Sequence, residues 1–221
     1  MPVSEPSRAR RIKKRMTSAQ RREQLIGIAR GVFAQNGLDG TSVEEIAAAA
    51  NVSKPVVYEH FGGKEGLYAV VVDREVQRLE NAIHSALAEA TTYRDTIEKG
   101  ALALLSYIDE HTDGFRIINR DSLVAGNHGG FASILNDIVV RVEDLLIEPL
   151  ARHGYDERLG PVFAQGLVGL VAMAGQRRLE DRSLSREDLA RQVTNLAWNG
   201  LANLEKNDLA KPDQPEAGEE D

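Results

Sequence analysis

Thr41-Ser42-Val43-Glu44-Glu45-Ile46-Ala47, then Val52-Ser53-Lys54-Pro55-Val56-Val57-Tyr58-Glu59-His60-Phe61-Gly62-Gly63-Lys64, is the stretch on which the fold turns. Ser42 and Glu45 stand three apart before an apolar run. That is capping-box spacing, in which each side chain satisfies a backbone N–H near the other. Val43, Ile46, Ala47 and Ala50 recur at helical spacing and form an inner face. Asn51, a residue that tolerates positive φ, ends this short helix. A second short helix starts after Ser53 as N-cap, with Pro55 in its first turn, where a missing N–H does no harm. Gly62-Gly63 stops it after Phe61.

Upstream, Thr17 and Gln20 repeat the capping-box spacing and open a helix from Ser18 to Asn36. Leu25, Ala29, Val32 and Phe33 form its apolar stripe, and Gly37 supplies a left-handed stop. Two short helices packed on a longer one make a helix-turn-helix. The second short helix is too short to be stable alone. Val56 and Phe61 are expected to anchor it, leaving Lys54, Pro55, Val57 and Tyr58 outward beside Ser53. A Pro-Val-Tyr surface between cations suits a thymine methyl and a sugar-phosphate edge better than it suits water.

The stretch from Arg21 to Tyr68 resembles the tetracycline-repressor (TetR) family in core pattern, caps, Tyr58-Glu59-His60-Phe61 and Lys64-Glu65, all in one register. The resemblance implies that Thr41, Ser42, Tyr58, His60 and Lys64 meet phosphates, and that Lys54, Pro55 and Val57 face bases. Asn51 and Gly63 depart from the family's usual glycine and stronger N-cap.

Charge supports the same end of the chain as the DNA face. The net charge is −7, yet residues 1–64 carry 11 Lys/Arg against 6 Asp/Glu, and the remainder carries 16 against 28. A basic front on an acidic body is an electrostatic footprint. Residues 1–16 read as a disordered basic arm, 17–63 as the DNA-binding domain, 64–206 as a helical ligand-binding and dimerisation domain, and 207–221 as a disordered acidic tail.

Beyond Lys64, helices are expected at about 64–90, 92–110, 112–122, 131–152, 159–181 and 186–206, with breaks at Gly114, Gly126 to Gly130, His153-Gly154 and Ser183. The fold class is therefore all-α, about nine helices. Reading two half-sites about 34 Å apart in a palindromic operator needs a homodimer. Phe163, Leu167, Leu170, Val193, Leu196, Ala197 and Leu201 are its expected contacts, as a four-helix bundle. Polar or aromatic residues within apolar helices mark a candidate pocket for a small-molecule effector: His84, Tyr107, Phe115, Asn119, Phe131 and Gln165.

Other functions lack their signatures. With no cysteine, disulfides and thiolate chemistry are excluded, which fits a cytoplasmic protein. The apolar runs are short, so no membrane segment is expected. There is no His-Glu-x-x-His and no Gly-x-Ser-x-Gly, so neither an enzyme nor a metal or other cofactor is expected. The expected function is a sequence-specific repressor released from its operator by an effector. The alternative is a helical protein-binding module without DNA specificity.

Overall fold

The computed structural model describes residues 16–125, 130–152 and 154–202, and every regular element among them is helical. The expected basic arm before Met16, most of the Gly126 to Gly130 connection, Leu204 and the acidic tail lie outside the described residues. The helices run α1 (Ser18–Asn36), α2 (Val43–Ala49), α3 (Lys54–Phe61), α4 (Lys64–Ala88), α5 (Tyr93–Glu110), α6 (Thr112–Ala125), α7 (Gly130–Arg152), α8 (Leu159–Glu180) and α9 (Arg186–Ala202). The chain divides into two compact units, Met1–Val71 and Val72–Asp221. The first eight residues of α4 belong to the first unit and the rest to the second.

Two of the three start signals read in the sequence form as hydrogen bonds in the first unit, whereas Ser53 holds the N-cap position of α3 without a side-chain bond. The Thr17 N–H donates to Gln20 Oε1 at 2.9 Å and the Gln20 N–H to Thr17 Oγ1 at 3.2 Å. The Ser42 N–H donates to Glu45 Oε2 at 2.8 Å and the Glu45 N–H to Ser42 Oγ at 3.2 Å. Gly37, at φ 73°, ends α1, and Asn51, at φ 52°, makes the turn after α2. Leu25, Ala29 and Phe33 of α1, Ile46 of α2, Val57 of α3 and Leu67 of α4 are fully buried. Burying each of these side chains larger than alanine contributes about 1.5–3 kcal/mol. Tyr68 packs edge-on to Phe33, ring centres 5.0 Å apart.

In the second unit, Leu79, Ile83, Leu104, Ile108, Phe115, Ile118, Ile134 and Ala172 form one apolar core. A smaller one joins Ala101 and Leu105 of α5 to Ala190 of α9. The break expected at Gly114 falls instead at His111, which leaves helical geometry at ψ 44°. Gly114 lies within α6 because its backbone packs on a carboxylate: a Cβ there would stand 2.1 Å from Glu75 Oε2. Arg178 of α8 ties α8 to the end of α5 and to the loop before α9. It donates to both oxygens of Asp109, at 3.0 and 2.8 Å, and to the Leu184 carbonyl. Arg178 thereby holds the Asp109 carboxyl below its ordinary range.

Candidate nucleic-acid interface and cavity

The first unit displays most of the expected DNA-facing residues, with two exceptions. Lys54, Pro55, Ser53 and Tyr58 are exposed, Tyr58 by 54%. His60 and Ser42 are half-buried. Val57 is wholly buried, so it anchors α3 and does not face bases. Two adjacent valines lie about 100° apart around a helix, and only Val57 shares a face with Phe61 at i, i+4. Val56, the expected anchor, is half-buried. Phe61 sits beneath the Arg22 guanidinium, 4.8 Å from its ring centre.

Thr41 is the second exception. Its side chain is 2% exposed and its hydroxyl donates to the Gly37 carbonyl at 2.6 Å. Just before a helix N-cap, it shapes the loop rather than presenting a donor. Lys64 is also partly committed. Its ammonium donates to the carbonyls of Leu38 and Thr41 at 3.0 and 2.9 Å, stapling the α1–α2 loop to the start of α4. Lys54, the first residue of α3, forms an ion pair with Glu44 of α2. The Lys54 hydrogen bond depresses the Glu44 carboxyl below its ordinary range. This pairing of α2 with α3 was not anticipated from the sequence. The ten-residue separation crosses a turn, so no helical spacing announces it.

In the second unit, a cavity of about 410 Å³ lies among α4, α5, α7, α8 and α9. Its walls are aliphatic: Ile83, Ile97, Leu104, Ile134, Ile138, Leu146, Val168 and Val171 are typical. The polar or aromatic lining comes from Tyr93, Thr96, Arg152, Tyr155 and Trp198. These share one end of the helix bundle. Arg94 of α5 bonds Asn195 of α9, and Gly160 near the start of α8 lies against Leu150 near the end of α7. The opposite end is closed by the apolar core, where Ile83, Leu104, Ile134 and Ala172 belong to both.

Among the described residues, none of those expected in a pocket lines this one. His84 and Gln165 are exposed. Phe115 is fully buried behind the closed end. Tyr107 is buried and bonded to Glu75, and Asn119 accepts a hydrogen bond from Gln176 at 3.1 Å. The side chain of Phe131 lies outside the described residues. Each described polar group is either solvated or satisfied inside the protein, as buried polar groups generally are.

The residues expected at a dimer contact are split. Val193 and Ala197 are buried within the protomer, and Leu167 and Leu201 line the cavity. Phe163 and Leu170 are half-buried, and Leu196 is 65% exposed. The outward apolar face is rotated from the expected one. It carries Val162, Gly166, Gly169 and Met173 on α8, with Leu196 and Gly200 on α9.

Comparison with known proteins agrees with the geometry of the first unit and extends through the second. Residues 25–71 match the bacterial regulatory proteins of the tetR family, and residues 82–213 match the tetracyclin repressor-like C-terminal domain. The HTH-type transcriptional activator FasR of Mycolicibacterium smegmatis is 28% identical over 204 residues, covering 90% of this chain and 91% of that protein. A TetR-like transcriptional regulator from Rhodococcus sp. RHA1 has a similar structure, with a TM-score of 0.69, 25% identity, and coverage of 86% of this chain and 100% of that one. The fatty acid degradation regulator FadR from Bacillus halodurans shares the fold at a TM-score of 0.62 and 20% identity, over 80% of this chain and 98% of that one. With its helix-turn-helix head and its helical C-terminal domain both matched, the chain belongs to the TetR family of DNA-binding transcriptional regulators.

Proposed function

We propose that this regulator acts as a cytoplasmic homodimeric repressor whose hold on a palindromic operator is loosened by an elongated aliphatic molecule in the second unit's cavity. The observation that carries the reading is the cavity itself. Lining residues on α5 run from Tyr93 to Leu104, about 16 Å of helical rise, and the walls around them are mostly aliphatic. Aliphatic walls over that length suit an extended hydrocarbon chain, whose methylenes pack at about 4 Å from the lining carbons. The similarity to a fatty acid degradation regulator is in keeping with this chemistry. Repression is the usual output of the family, whereas the similar FasR is named an activator.

Ser42, Ser53, Lys54, Pro55, Tyr58, His60 and Lys64 are the proposed DNA contacts. Ser53, Lys54, Pro55 and Tyr58 are exposed, Ser42 and Lys64 stand at helix starts, and His60 is half-buried in the last turn of α3. Thr41 and Val57 support them from within. Dimerisation is favoured by the stripe Val162-Gly166-Gly169-Met173. Nothing lies within 4 Å of a Cβ built on either glycine, so a second helix has room for close approach. Only 22% of the most apolar window of α8 is buried within one protomer. A ligand that prefers one setting of α4 would change the spacing of two recognition helices, which is coupling by differential affinity for two states.

The test is fluorescence anisotropy on a duplex selected from a random pool by the purified protein, titrated with short and long saturated fatty acids and with a sterol. Release by long fatty acids alone is the expected result. Release by the sterol alone would defeat the aliphatic-chain reading, and failure to select any duplex would defeat the operator reading.

A further inference from the structure

We propose that Glu44 determines DNA specificity by tethering Lys54, so that the first cation of α3 is held for a base edge and kept from indiscriminate phosphate contact. The inference rests on the DNA-reading role of the first unit. Lys54 opens the recognition helix with a half-exposed side chain, and its ammonium pairs with a carboxylate carried by a different helix. Glu44 belongs to the first turn of α2, on the same exposed side as the N-terminus of α3. Its neighbour Glu45 is occupied with the Ser42 cap, so Glu44 is the carboxylate available to Lys54 there.

Three consequences follow from this pairing. The pair has no net charge, so Lys54 adds little to the counterion release that drives sequence-independent binding. An ammonium has three donors, and one goes to Glu44, leaving two at a fixed point for acceptors such as guanine O6 and N7. A lysine on a flexible stem normally finds phosphate on any sequence. Here, swinging away to a phosphate strands a carboxylate beside the negatively charged backbone. The correct base thus meets a prepared donor, and a wrong sequence meets a repulsive acid. Discrimination gains from the penalty on wrong sites as much as from the contact at the right one.

The experiment uses the full-length protein, the duplex it selects from a random pool, and a scrambled duplex of equal composition, titrated at several salt concentrations. Glu44→Gln is expected to raise affinity for the scrambled duplex about fivefold and to steepen its salt slope by about one unit. Affinity for the selected duplex should change much less, so the specificity ratio falls. In a Lys54→Met background the same Glu44→Gln change should leave the ratio unaltered. If Glu44→Gln strengthened both duplexes equally, with or without Lys54, Glu44 would be only a background charge and the proposal would be overturned. Circular dichroism of Glu44→Gln should match the parent, because the position is exposed. A wild-type protein that selects no duplex would defeat both the DNA reading and this proposal.

Discussion

The Tyr107 hydroxyl donates to Glu75 Oε2 at 2.8 Å, joining α5 to a buried carboxylate on α4. Arg78 donates to the other oxygen at 2.5 Å, and the backbone of Gly114 closes over the pair. A buried carboxylate stripped of one donor is costly. Tyr107→Phe should destabilise the protein by about 2 kcal/mol, lowering its melting temperature by about 4–8 °C. Gly114→Ala should be at least as damaging, since its methyl would displace the carboxylate. Thermal melts of both variants check this, and an unchanged Tyr107→Phe melt would contradict it.

Lys64 joins structure to binding. Lys64→Met removes both bonds to the Leu38 and Thr41 carbonyls. Loss of two such bonds should cost about 1–3 kcal/mol. The variant should also bind matched and scrambled duplexes equally less well, with a salt slope shallower by about one unit. A selective loss on the matched duplex would assign Lys64 to base reading.

Gly66 tests the α3–α4 junction. In an ordinary helix, Gly→Ala is favourable by about 1 kcal/mol. Here an added Cβ would lie 2.0 Å from the Phe61 carbonyl oxygen. Gly66→Ala is therefore expected to destabilise by about 1–3 kcal/mol and to weaken DNA binding by displacing the end of α3. A stabilised variant would show that the junction relaxes freely.

Ile97 lines the cavity on α5. Ile97→Trp should fill the bore, leave operator affinity unchanged and abolish the response to long fatty acids. Continued release by ligand would place the binding site elsewhere.

The Asp109–Arg178 pair predicts an acid limb of stability. Because the Asp109 carboxyl is held below its ordinary value, chiefly by the Arg178 hydrogen bond, its contribution is complete above the unfolded value of about 3.9. It is lost as pH falls through the lower folded value. Asp109→Asn should lower stability at neutral pH and flatten the pH dependence of the melting temperature below about pH 4. An unchanged acid limb would show that other carboxylates carry it.

The head was legible because its signals are local. Two capping boxes, a positive-φ Asn51 and a glycine stop set the limits of α1 to α3 within a few residues of chain. Val57 was misplaced because α3 buries so narrow a stripe that adjacent valines compete for it, and the choice is made by α1 and α2. The cavity was illegible for the opposite reason. Its walls are ordinary leucines, isoleucines and valines, which differ from core residues only in facing empty space. The polar residues that stood out, Tyr107 and Asn119, stood out because each ties its own helix to another: Tyr107 holds α4 and Asn119 meets α8. Gly114 announced a close approach, which sequence alone cannot distinguish from a break.

Among the three helices of the head, α3 alone starts without a side-chain cap: Ser53 occupies the position, but its hydroxyl makes no capping bond. While the Val56 N–H is held by the Ser53 carbonyl at 3.0 Å, the Lys54 amide at the front of this eight-residue rod is thus left to whatever the surroundings supply. In water that is solvent, and on an operator it is an oxygen of the sugar-phosphate strand. The duplex then finishes a piece of secondary structure that the polypeptide leaves incomplete, so the element that reads DNA is also the one most firmed by it. Amide hydrogen exchange at Lys54 should slow on complex formation more than at the already sealed starts of α1 and α2.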